Sequence, residues 1–302
     1  MGYLHIENLY RPAAQILLNF KRLYALEKVH GTSAHVAWRD GKVHYHAGGE
    51  SHSRFVALFD DAALTQAFQQ LGHDAVTVYG EAYGGKQQGM RHTYGDELRF
   101  IVFDIMVSDT WLTVPNMADV AAKLGLEVVP WSEVDCDLMV LDALRDAPSE
   151  VAVRRGIVEP KPREGIVLRP LVELTTSNGS RVIAKHKGAA FSETKSPRPV
   201  VDPAKLAVLT EAQSIADEWV TDERLRHVLQ RLPDCDDIKA TPRVIAAMVE
   251  DILREGSGEI VDSRDARAAI GRKTAAMFKA QLATPVRATA APSAVDSATA
   301  PG

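Results

Sequence analysis

The sequence predicts an α+β protein in which antiparallel sheets with flanking helices occupy residues 1–196 and a small all-α domain occupies residues 203–282. Two observations support this prediction. Apolar and polar residues alternate in several short segments before residue 190, as is typical of strands. After Pro203, apolar residues recur at spacings of three and four, as in amphipathic helices, and no strand pattern returns.

The first expected elements are a helix and a strand that ends at a lysine. Residues 13–20 predict a short helix, because Pro12 suits a first helical turn. The apolar run 23–26 then predicts a buried strand. This run leads to Lys28 and to a short polar stretch that ends at Gly31, before the next alternating segment begins.

A β-hairpin and several further elements are expected after this stretch. Asp40-Gly41 joins the alternating segments 34–38 and 43–47, which is a strong hairpin pattern. A helix is expected to end at Leu71, because the glycine that follows can stop it. The other elements of this part are strands at 75–79, 100–107, 165–169 and 181–186 and helices at 116–124 and 138–145.

The C-terminal part of the chain predicts helices and a tail. Helices are expected at 204–219, 222–232, 242–255 and 263–282. Ser196-Pro197-Arg198-Pro199 cannot continue a regular element, so we place the domain boundary there. Residues 283–302 consist mainly of Ala, Thr, Pro and Ser, and we expect them to form a disordered tail.

Composition restricts the class of protein. The 302 residues carry a formal net charge of −5, which argues against wholesale coating of nucleic acid and requires a local basic groove for any such binding. Cys136 and Cys235 lie far apart without metal-binding spacing, so we expect reduced thiols in a cytoplasmic protein. No apolar stretch approaches the ~18 residues of a membrane span, and the N-terminus lacks a signal-peptide pattern. We therefore expect a soluble monomer without a membrane partner.

Lys28 is the candidate nucleophile. A lysine at the end of a buried strand is costly unless its amine has a use. One use is attack on phosphorus, which requires cationic neighbours or burial to lower an amine pKa that is ~10.4 in free lysine. Lys185 and Lys187 share one face of a strand, where they could lower the pKa of Lys28 together with a metal ion and would neutralise phosphate charge. A solvated strand face is the ordinary alternative for this lysine pair.

Glu81 and Glu164 are candidate ligands for a metal ion or a ribose. Glu81 follows a predicted strand and precedes the glycine-bearing loop 84–89, and Glu164 opens the predicted strand 165–169. Carboxylates at such strand ends suit ribose hydroxyls, or magnesium held jointly with phosphate oxygens. A surface turn is the alternative for either one. The loop lacks the P-loop arrangement, and we expect it to be a mobile loop.

Other polar and aromatic residues could bind parts of a nucleotide or a metal. Phe103 could stack on a purine and Asp104 could contact a polar group, although a core phenylalanine beside an edge aspartate is the alternative. Arg54 could clamp a phosphate bidentately, or be an ordinary surface arginine. His44 and His46 share a strand face as a zinc pair would, but without further ligands we favour a solvated hairpin face.

In their order along the chain, these motifs resemble those of the covalent nucleotidyltransferase superfamily of ligases and capping enzymes. Within it, the chain resembles ATP-dependent RNA ligases of the phage T4 RNA ligase 2 type, because a histidine lies two residues after the lysine and Phe191-Ser192-Glu193 follows the last motif. The resemblance covers roughly residues 20–195. Its motifs are Glu27-Lys28-Val29-His30-Gly31-Thr32, Tyr79-Gly80-Glu81, residues 100–105, residues 164–167 and Lys185-His186-Lys187.

This resemblance implies a nucleotidyltransferase (ATP-grasp-like ligase) domain in which Lys28 carries AMP. It implies ATP and Mg²⁺ or Mn²⁺ as cofactors, with Glu81 and Glu164 as the metal-binding carboxylates. The catalytic residues would be Lys28, Glu164, Lys185 and Lys187. The nucleotide-binding residues would be Glu27, His30, Gly31, Arg54, Glu81, Phe103 and Asp104, of which Arg54 has the least distinctive flanking residues.

The implied activity is the joining of RNA 3′-hydroxyl and 5′-phosphate ends, nicked or single-stranded, through lysyl-AMP and an RNA-adenylate. Members of the RNA ligase branch have a helical module after the catalytic domain, and the helices predicted here resemble that arrangement. DNA ligases and capping guanylyltransferases have a small β-barrel at this place. These two enzyme classes, and a non-catalytic RNA-end-binding protein with the ligase fold, are the alternatives. Ser33 departs from the asparagine that the family commonly has, because a hydroxyl cannot offer the same donor and acceptor pair.

Overall fold

The computed structural model describes residues 2–195, 200 and 211–283. Within these residues the strands are β1 (Glu7–Asn8), β2 (Arg22–Lys28), β3 (Thr32–Arg39), β4 (Lys42–His46), β5 (Val76–Tyr83), β6 (Arg99–Val107), β7 (Thr110–Trp111), β8 (Trp131–Asp135), β9 (Gly165–Pro170) and β10 (Ala184–Lys187). The α-helices are α1 (His52–Val56), α2 (Asp61–Leu71), α3 (Arg91–Tyr94), α4 (Val114–Lys123), α5 (Leu138–Asp146), α6 (Glu150–Arg154), α7 (Ala212–Trp219), α8 (Asp222–Arg231), α9 (Thr241–Glu255) and α10 (Arg264–Ala283). Short 3-10 helices lie at Ala14–Asn19, Gln87–Gly89, Ala189–Phe191 and Ile238–Ala240.

The described strands form two five-stranded sheets. The first sheet has the order β1-β10-β9-β2-β8 and the second has the order β4-β3-β5-β6-β7. Strand β1 runs parallel to β10, and all the other neighbouring strands are antiparallel. The structure therefore confirms the α+β class, with antiparallel sheets and flanking helices.

Strand β2 is apolar on both faces because it packs between two hydrophobic clusters. Tyr24 and Leu26 belong to the cluster that fills the space toward the second sheet. Leu23 and Ala25 point the other way, into a cluster that includes Leu141 of α5. Successive strand residues face opposite sides, so a strand covered on both faces has a continuous apolar run. This burial explains the run that leads to Lys28.

Strand β5 continues beyond its predicted end at residue 79. A β-bulge between Tyr79 and Gly80 shifts the register with β6, and the strand then runs on to Tyr83. A Cβ atom at Gly80 would lie 2.4 Å from the carbonyl oxygen of Ile101, so the bulge requires glycine. As a result Glu81 lies inside the strand, rather than in the loop after it.

The other differences from the predictions concern short or edge elements. Ala14–Asn19 is a 3-10 helix, in which the buried Ala14 and Leu17 are three residues apart and so lie on one face. The two-residue strands β1 and β7 are too short to show an alternating pattern. Strand β8 is a largely exposed edge strand with a polar sequence, so it shows no apolar run either. The strand predicted at 181–186 begins only at Ala184.

Helices α7 to α10 form a helical module, defined here as residues 211–283. They enclose a hydrophobic cluster of their own, which includes Trp219, Val244, Ile252, Ile270 and Phe278. We propose that this module is a separate domain. The expected boundary at 196–199, the first residues of the helix predicted at 204–219 and the expected tail at 284–302 lie outside the described residues. Among the described helices, none has the length and apolar character needed to cross a membrane.

A buried ionic cluster joins the two sheets. Asp104 of β6 is fully buried, and its Oδ1 accepts a hydrogen bond from Arg169 Nη1 of β9 at 3.1 Å. Its Oδ2 accepts from the hydroxyl of Tyr3 at 2.7 Å and also contacts Arg181, which precedes β10. Both arginines contact Glu173 as well. Because removing one partner of a buried ion pair leaves uncompensated charge, Asp104 is a structural residue of the sheet interface.

We expect the substitution Asp104→Asn to lower the free energy of unfolding by about 3–5 kcal/mol. The amide keeps the shape of the side chain but removes the negative charge of Asp104, so that the two guanidinium groups share the carboxylate of Glu173. Urea unfolding followed by circular dichroism measures the loss. The control is Asp119→Asn, which removes an exposed pair with Lys123 in α4 and should cost less than about 1 kcal/mol. Equal losses in the two variants would contradict the structural role of Asp104.

We expect His35 to make the protein less stable at acidic pH. His35 is buried in β3 with its ring stacked on His46 at a centroid distance of 4.7 Å. Burial, reinforced by the charges of His46 and Arg39, lowers the pKa of His35 from 6.5 to about 4. Between these values the unfolded chain binds the proton more readily, so stability is present above pH 6.5 and is lost as the pH falls toward 4.

The variant His35→Gln should therefore lose less stability between pH 6.5 and 4.5 than the unchanged protein, by on the order of 1–3 kcal/mol. Urea titrations at a series of pH values measure this difference. His73→Gln, at an exposed position after α2, gives the baseline for removing one histidine. If His35→Gln and the unchanged protein show the same pH dependence, the burial of a neutral His35 is wrong.

Candidate active site

A cavity of about 320 Å³ lies where the two sheets and the helical module meet. Side chains from β2, β5, β6, β9 and β10 border it, and α8 and α9 cover one side. Among the residues singled out from the sequence, the cavity brings together Glu27, Lys28, His30, Gly31, Glu81, Phe103, Glu164, Lys185 and Lys187. This cavity is therefore the candidate active site.

Strand register places the lysines on either side of one glycine. In the first sheet Lys28 of β2 pairs with Gly165 of β9, and Gly165 pairs in turn with Lys187 of β10. The backbone of Gly165 has a φ of +150°, and a Cβ atom there would lie 2.1 Å from the carbonyl oxygen of His186. Glycine is therefore required at this position. Glu164, the residue before Gly165, therefore lies close to both lysines.

Glu164 is the acceptor at the centre of the site. Its Oε2 lies 2.9 Å from the Nζ of Lys28 and 3.0 Å from the Nδ1 of His30. Its Oε1 lies 3.1 Å from the Nζ of Lys187. Burial by itself would raise the pKa of Glu164, but Lys28, Lys187 and His30 together hold this pKa well below its usual range. The carboxylate is thus ionised at neutral pH and fixes the position of the Lys28 amine.

The two lysines of β10 differ in their surroundings. Burial lowers the pKa of Lys185, against the opposing effect of Glu255, whose Oε2 lies 3.4 Å from its Nζ. Lys187 contacts both Glu164 and Glu193, and these carboxylates raise its pKa despite its burial. Lys187 is therefore a permanent cation, whereas Lys185 is held by a single carboxylate from the helical module.

Glu81 reaches the cavity from the second sheet. Its Oε1 accepts a hydrogen bond at 2.9 Å from the backbone N–H of Gly31, in the turn after Lys28. Burial raises the pKa of Glu81 to about 8; Lys28 acts against this rise and Glu164 adds to it. A nearby cation would lower this pKa, because a cation favours the ionised form of a buried carboxyl group.

Some of the predicted nucleotide-binding residues make other contacts in this structure. Glu27 borders the cavity, but its carboxylate accepts hydrogen bonds from Ser149 and from the backbone N–H of Glu150, at the start of α6. Arg54 is 53% exposed, pairs with Glu50 and is not among the residues that line the cavity. Phe103 lines the cavity, whereas the adjacent Asp104 belongs to the ionic cluster between the sheets. Their roles in nucleotide binding remain predictions.

The hairpin histidines and the glycine-bearing loop also have defined surroundings. The ring of His46 stacks on His35, and within the described residues neither His44 nor His46 belongs to a cluster of three metal-ligating groups. In the loop, Gln87 is buried and donates to Glu50 at 2.6 Å. It also accepts from Gln230 of α8 at 2.8 Å. The loop expected to be mobile is thus hydrogen-bonded to the helical module in this structure.

Several charged residues of the site were not among the predicted site residues. Glu193 contacts Lys187, and Glu223, His227 and Glu255 reach the cavity region from α8 and α9. Glu193 lies in the segment that indicated the ligase branch, so its sequence signal was present. Glu223 and His227 are four residues apart and thus share a helix face, but nothing in the sequence indicated which part of the chain that face contacts.

A sequence model of the RNA ligase family matches residues 21–187, which is more than half of the chain, and the protein belongs to this family. The match covers Lys28, Glu81, Glu164, Lys185 and Lys187, and it does not distinguish the T4 RNA ligase 2 type from other branches. A search of curated proteins found no match.

Solved structures of an RNA ligase from Naegleria gruberi are similar to this chain. One mutant of that ligase, with ATP and Mn, is 17% identical with a TM-score of 0.49, over 63% of this chain and 57% of that chain. The same ligase with PPi gives the same values. A mutant without ligand has a TM-score of 0.48 at 17% identity, over 63% of this chain and 56% of that chain. The chain thus spans just over half the length of these structures.

We expect Gly165→Ala to separate β9 from β10 and to misplace Glu164. The added Cβ would meet backbone atoms of His186 and Lys187 that cannot move without changing the sheet, so the free energy of unfolding should fall by about 2–4 kcal/mol. Gly179→Ala is the matched control, because Gly179 has a φ of +82° but a Cβ there meets nothing within 4 Å. This control should show only the cost of a left-handed alanine, about 1–2 kcal/mol. Similar losses in urea unfolding of the two variants would contradict the register argument.

Proposed function

We propose that the protein is an ATP-dependent RNA ligase that joins RNA 3′-hydroxyl and 5′-phosphate ends through a covalent lysyl-AMP. The supporting observation is the position of the Lys28 amine, 2.9 Å from a buried carboxylate in a cavity that also contains Lys185 and Lys187. Membership of the RNA ligase family supports the ligase class. The mechanism, the RNA ends and the nucleotide are parts of the proposal.

In the proposed first step the Lys28 Nζ attacks the α-phosphorus of ATP. The lone pair of the neutral amine forms the nitrogen–phosphorus bond, the bond from the α-phosphorus to its bridging oxygen breaks, pyrophosphate leaves, and the nitrogen releases one proton to solvent. Glu164 directs the amine, and the cations of Lys185 and Lys187 stabilise the charge on the phosphates. Phe103, which also lines the cavity, would stack on the adenine.

The donor set fits the divalent cation that the proposal requires. Hard cations such as Mg²⁺ and Mn²⁺ prefer carboxylate oxygens. Glu81 fits this role best, because burial raises its pKa to about 8 and a cation would favour its ionised form. The oxygens of Glu164 already contact Lys28, His30 and Lys187, so its contribution to the metal would be shared with these groups. A bound cation would neutralise phosphate charge.

The later steps transfer and then release AMP. An oxygen of the RNA 5′-phosphate attacks the α-phosphorus of lysyl-AMP, which frees the Lys28 amine and forms a 5′-5′ phosphoanhydride. The 3′-hydroxyl of the other strand then attacks the 5′-phosphorus, loses its proton and displaces AMP. The permanent charge of Lys187 next to Glu164 suits both steps, since each builds charge on phosphate oxygens.

We expect Lys28→Ala to abolish covalent labelling of the protein by ATP that is labelled at the α-phosphate. The alanine has no amine, so no phosphoramidate can form. The same variant should still join RNA that already carries adenylate on its 5′-phosphate, because displacement of AMP by the 3′-hydroxyl does not use the amine. Label retained after denaturing electrophoresis measures the first reaction, and the length of the RNA product measures the second.

Lys21→Ala is the matched control, since Lys21 is an exposed lysine just before the same strand. It should label normally. Equal labelling of Lys28→Ala and the unchanged protein would disprove the site. Labelling by GTP instead of ATP would favour the capping class, and sealing of nicked DNA but not RNA would favour a DNA ligase. RNA binding without any adduct in the unchanged protein would favour the non-catalytic alternative.

A further inference from the structure

Three potential metal ligands from two parts of the chain meet beside the active-site cavity. His30 belongs to the turn after β2, and Glu223 and His227 belong to α8 of the helical module. Glu223 and His227 are four residues apart, so their side chains project from the same face of the helix. One ligand atom from each residue can be chosen so that all three lie within 4.8 Å of one another.

Both histidines have their second ring nitrogen fixed by a carboxylate. The Nδ1 of His30 lies 3.0 Å from Oε2 of Glu164, and the Nδ1 of His227 lies 3.1 Å from Oε1 of Glu193. A carboxylate accepts a hydrogen bond from the Nδ1–H group, which leaves the Nε2 lone pair of a neutral ring exposed at the other end. Carboxylate–histidine pairs of this kind commonly orient the ligands of protein metal sites.

With the proton of each neutral ring on Nδ1, the atoms that face one another at the centre are all acceptors. Nε2 of His30 lies 3.4 Å from Oε1 of Glu223, and Nε2 of His227 lies 3.3 Å from the same oxygen. Within the described structure, Nε2 of His30 and Oε1 of Glu223 are buried without a hydrogen-bond partner. Burying unpaired polar atoms is costly, and the repulsion of acceptors adds to this cost. A cation at their centre would remove both costs.

Two of the three separations match those around a small tetrahedral cation. Zn²⁺ binds histidine nitrogen and carboxylate oxygen at about 2.0–2.2 Å, and in a tetrahedron this places neighbouring ligand atoms about 3.3–3.5 Å apart. The two distances to Glu223 Oε1 are 3.3 and 3.4 Å. Imidazole ligands favour zinc and similar transition metals over magnesium. The cluster therefore differs in chemistry from the proposed all-oxygen site at Glu81.

We propose that Nε2 of His30, Nε2 of His227 and a carboxylate oxygen of Glu223 bind one divalent transition metal ion of the zinc class, and that this ion fastens the helical module to the turn after Lys28. The three protein ligands leave a fourth tetrahedral position for a water molecule. His30 and His227 both line the active-site cavity, so the ion would stabilise the arrangement in which α8 covers the cavity. This site does not depend on the proposed ligase mechanism.

Metal binding to the full chain, without ATP or RNA, tests the proposal. The protein is stripped with a chelator, then dialysed against Zn²⁺ in excess Mg²⁺, and the bound zinc is measured by mass spectrometry. We expect one zinc per chain, and a loss of affinity of roughly tenfold or more in His227→Gln and in Glu223→Gln. Co²⁺ in place of Zn²⁺ should give the strong visible absorption of a tetrahedral site in the unchanged protein and not in these variants.

His46→Gln is the matched control, because His44 and His46 of the hairpin are the other histidine pair considered as a zinc site, and this variant removes one of them. It should retain zinc, the cobalt absorption and the rise in melting temperature that a ligand of the folded state causes. Melting without metal shows whether each variant is folded. The proposal is overturned if the unchanged protein keeps no zinc against Mg²⁺, or if His46→Gln loses zinc while His227→Gln retains it. In that case Glu223 forms only ion pairs or hydrogen bonds with His30 and His227, without a metal ion.

Discussion

The register of β2, β9 and β10 is the constraint on which the site depends. Lys28, Gly165 and Lys187 lie side by side, and the space between the strands admits only a glycine at the central position. Glu164 is therefore held between the Nζ atoms of two lysines. A buried carboxylate is costly without such partners, and the same ion pairs fix the lysine amine. The stability of the sheet and the position of the Lys28 amine thus depend on one arrangement.

The helical module completes the charge balance of the cavity. Glu255 contacts Lys185, and Glu223 lies beside His30, so carboxylates from α8 and α9 face Lys185 of the first sheet and His30 of the turn after β2. Any phosphate that binds Lys185 must compete with Glu255. A ligand shifts a conformational equilibrium only by its difference in affinity for the two states. Phosphate binding would therefore weaken the docked arrangement, whereas a metal ion at His30 would strengthen it.

Local patterns predicted most of the fold, and long-range contacts account for what they missed. The apolar run before Lys28, the Asp40-Gly41 turn and the helical spacing after residue 210 correspond to elements of the structure. The motifs also indicated that Lys28, Glu164, Lys185 and Lys187 would share one site, and these residues do line one cavity. Two features depend on residues far away in sequence. One is the continuation of β5 past the bulge, which includes Glu81 in the strand, and the other is the face of α8 that contacts His30. No local pattern specifies them.

Strand alternation explains why neighbouring residues of a motif make different contacts. Neighbouring residues of a strand project to opposite sides, so the side chains of Lys28 and Glu27 contact different groups. Lys28 contacts Glu164, while Glu27 holds the start of α6. Phe103 lines the cavity, while Asp104 turns away and joins the two sheets. In both motifs one residue contacts or lines the cavity centre, and its neighbour ties the strand to another element.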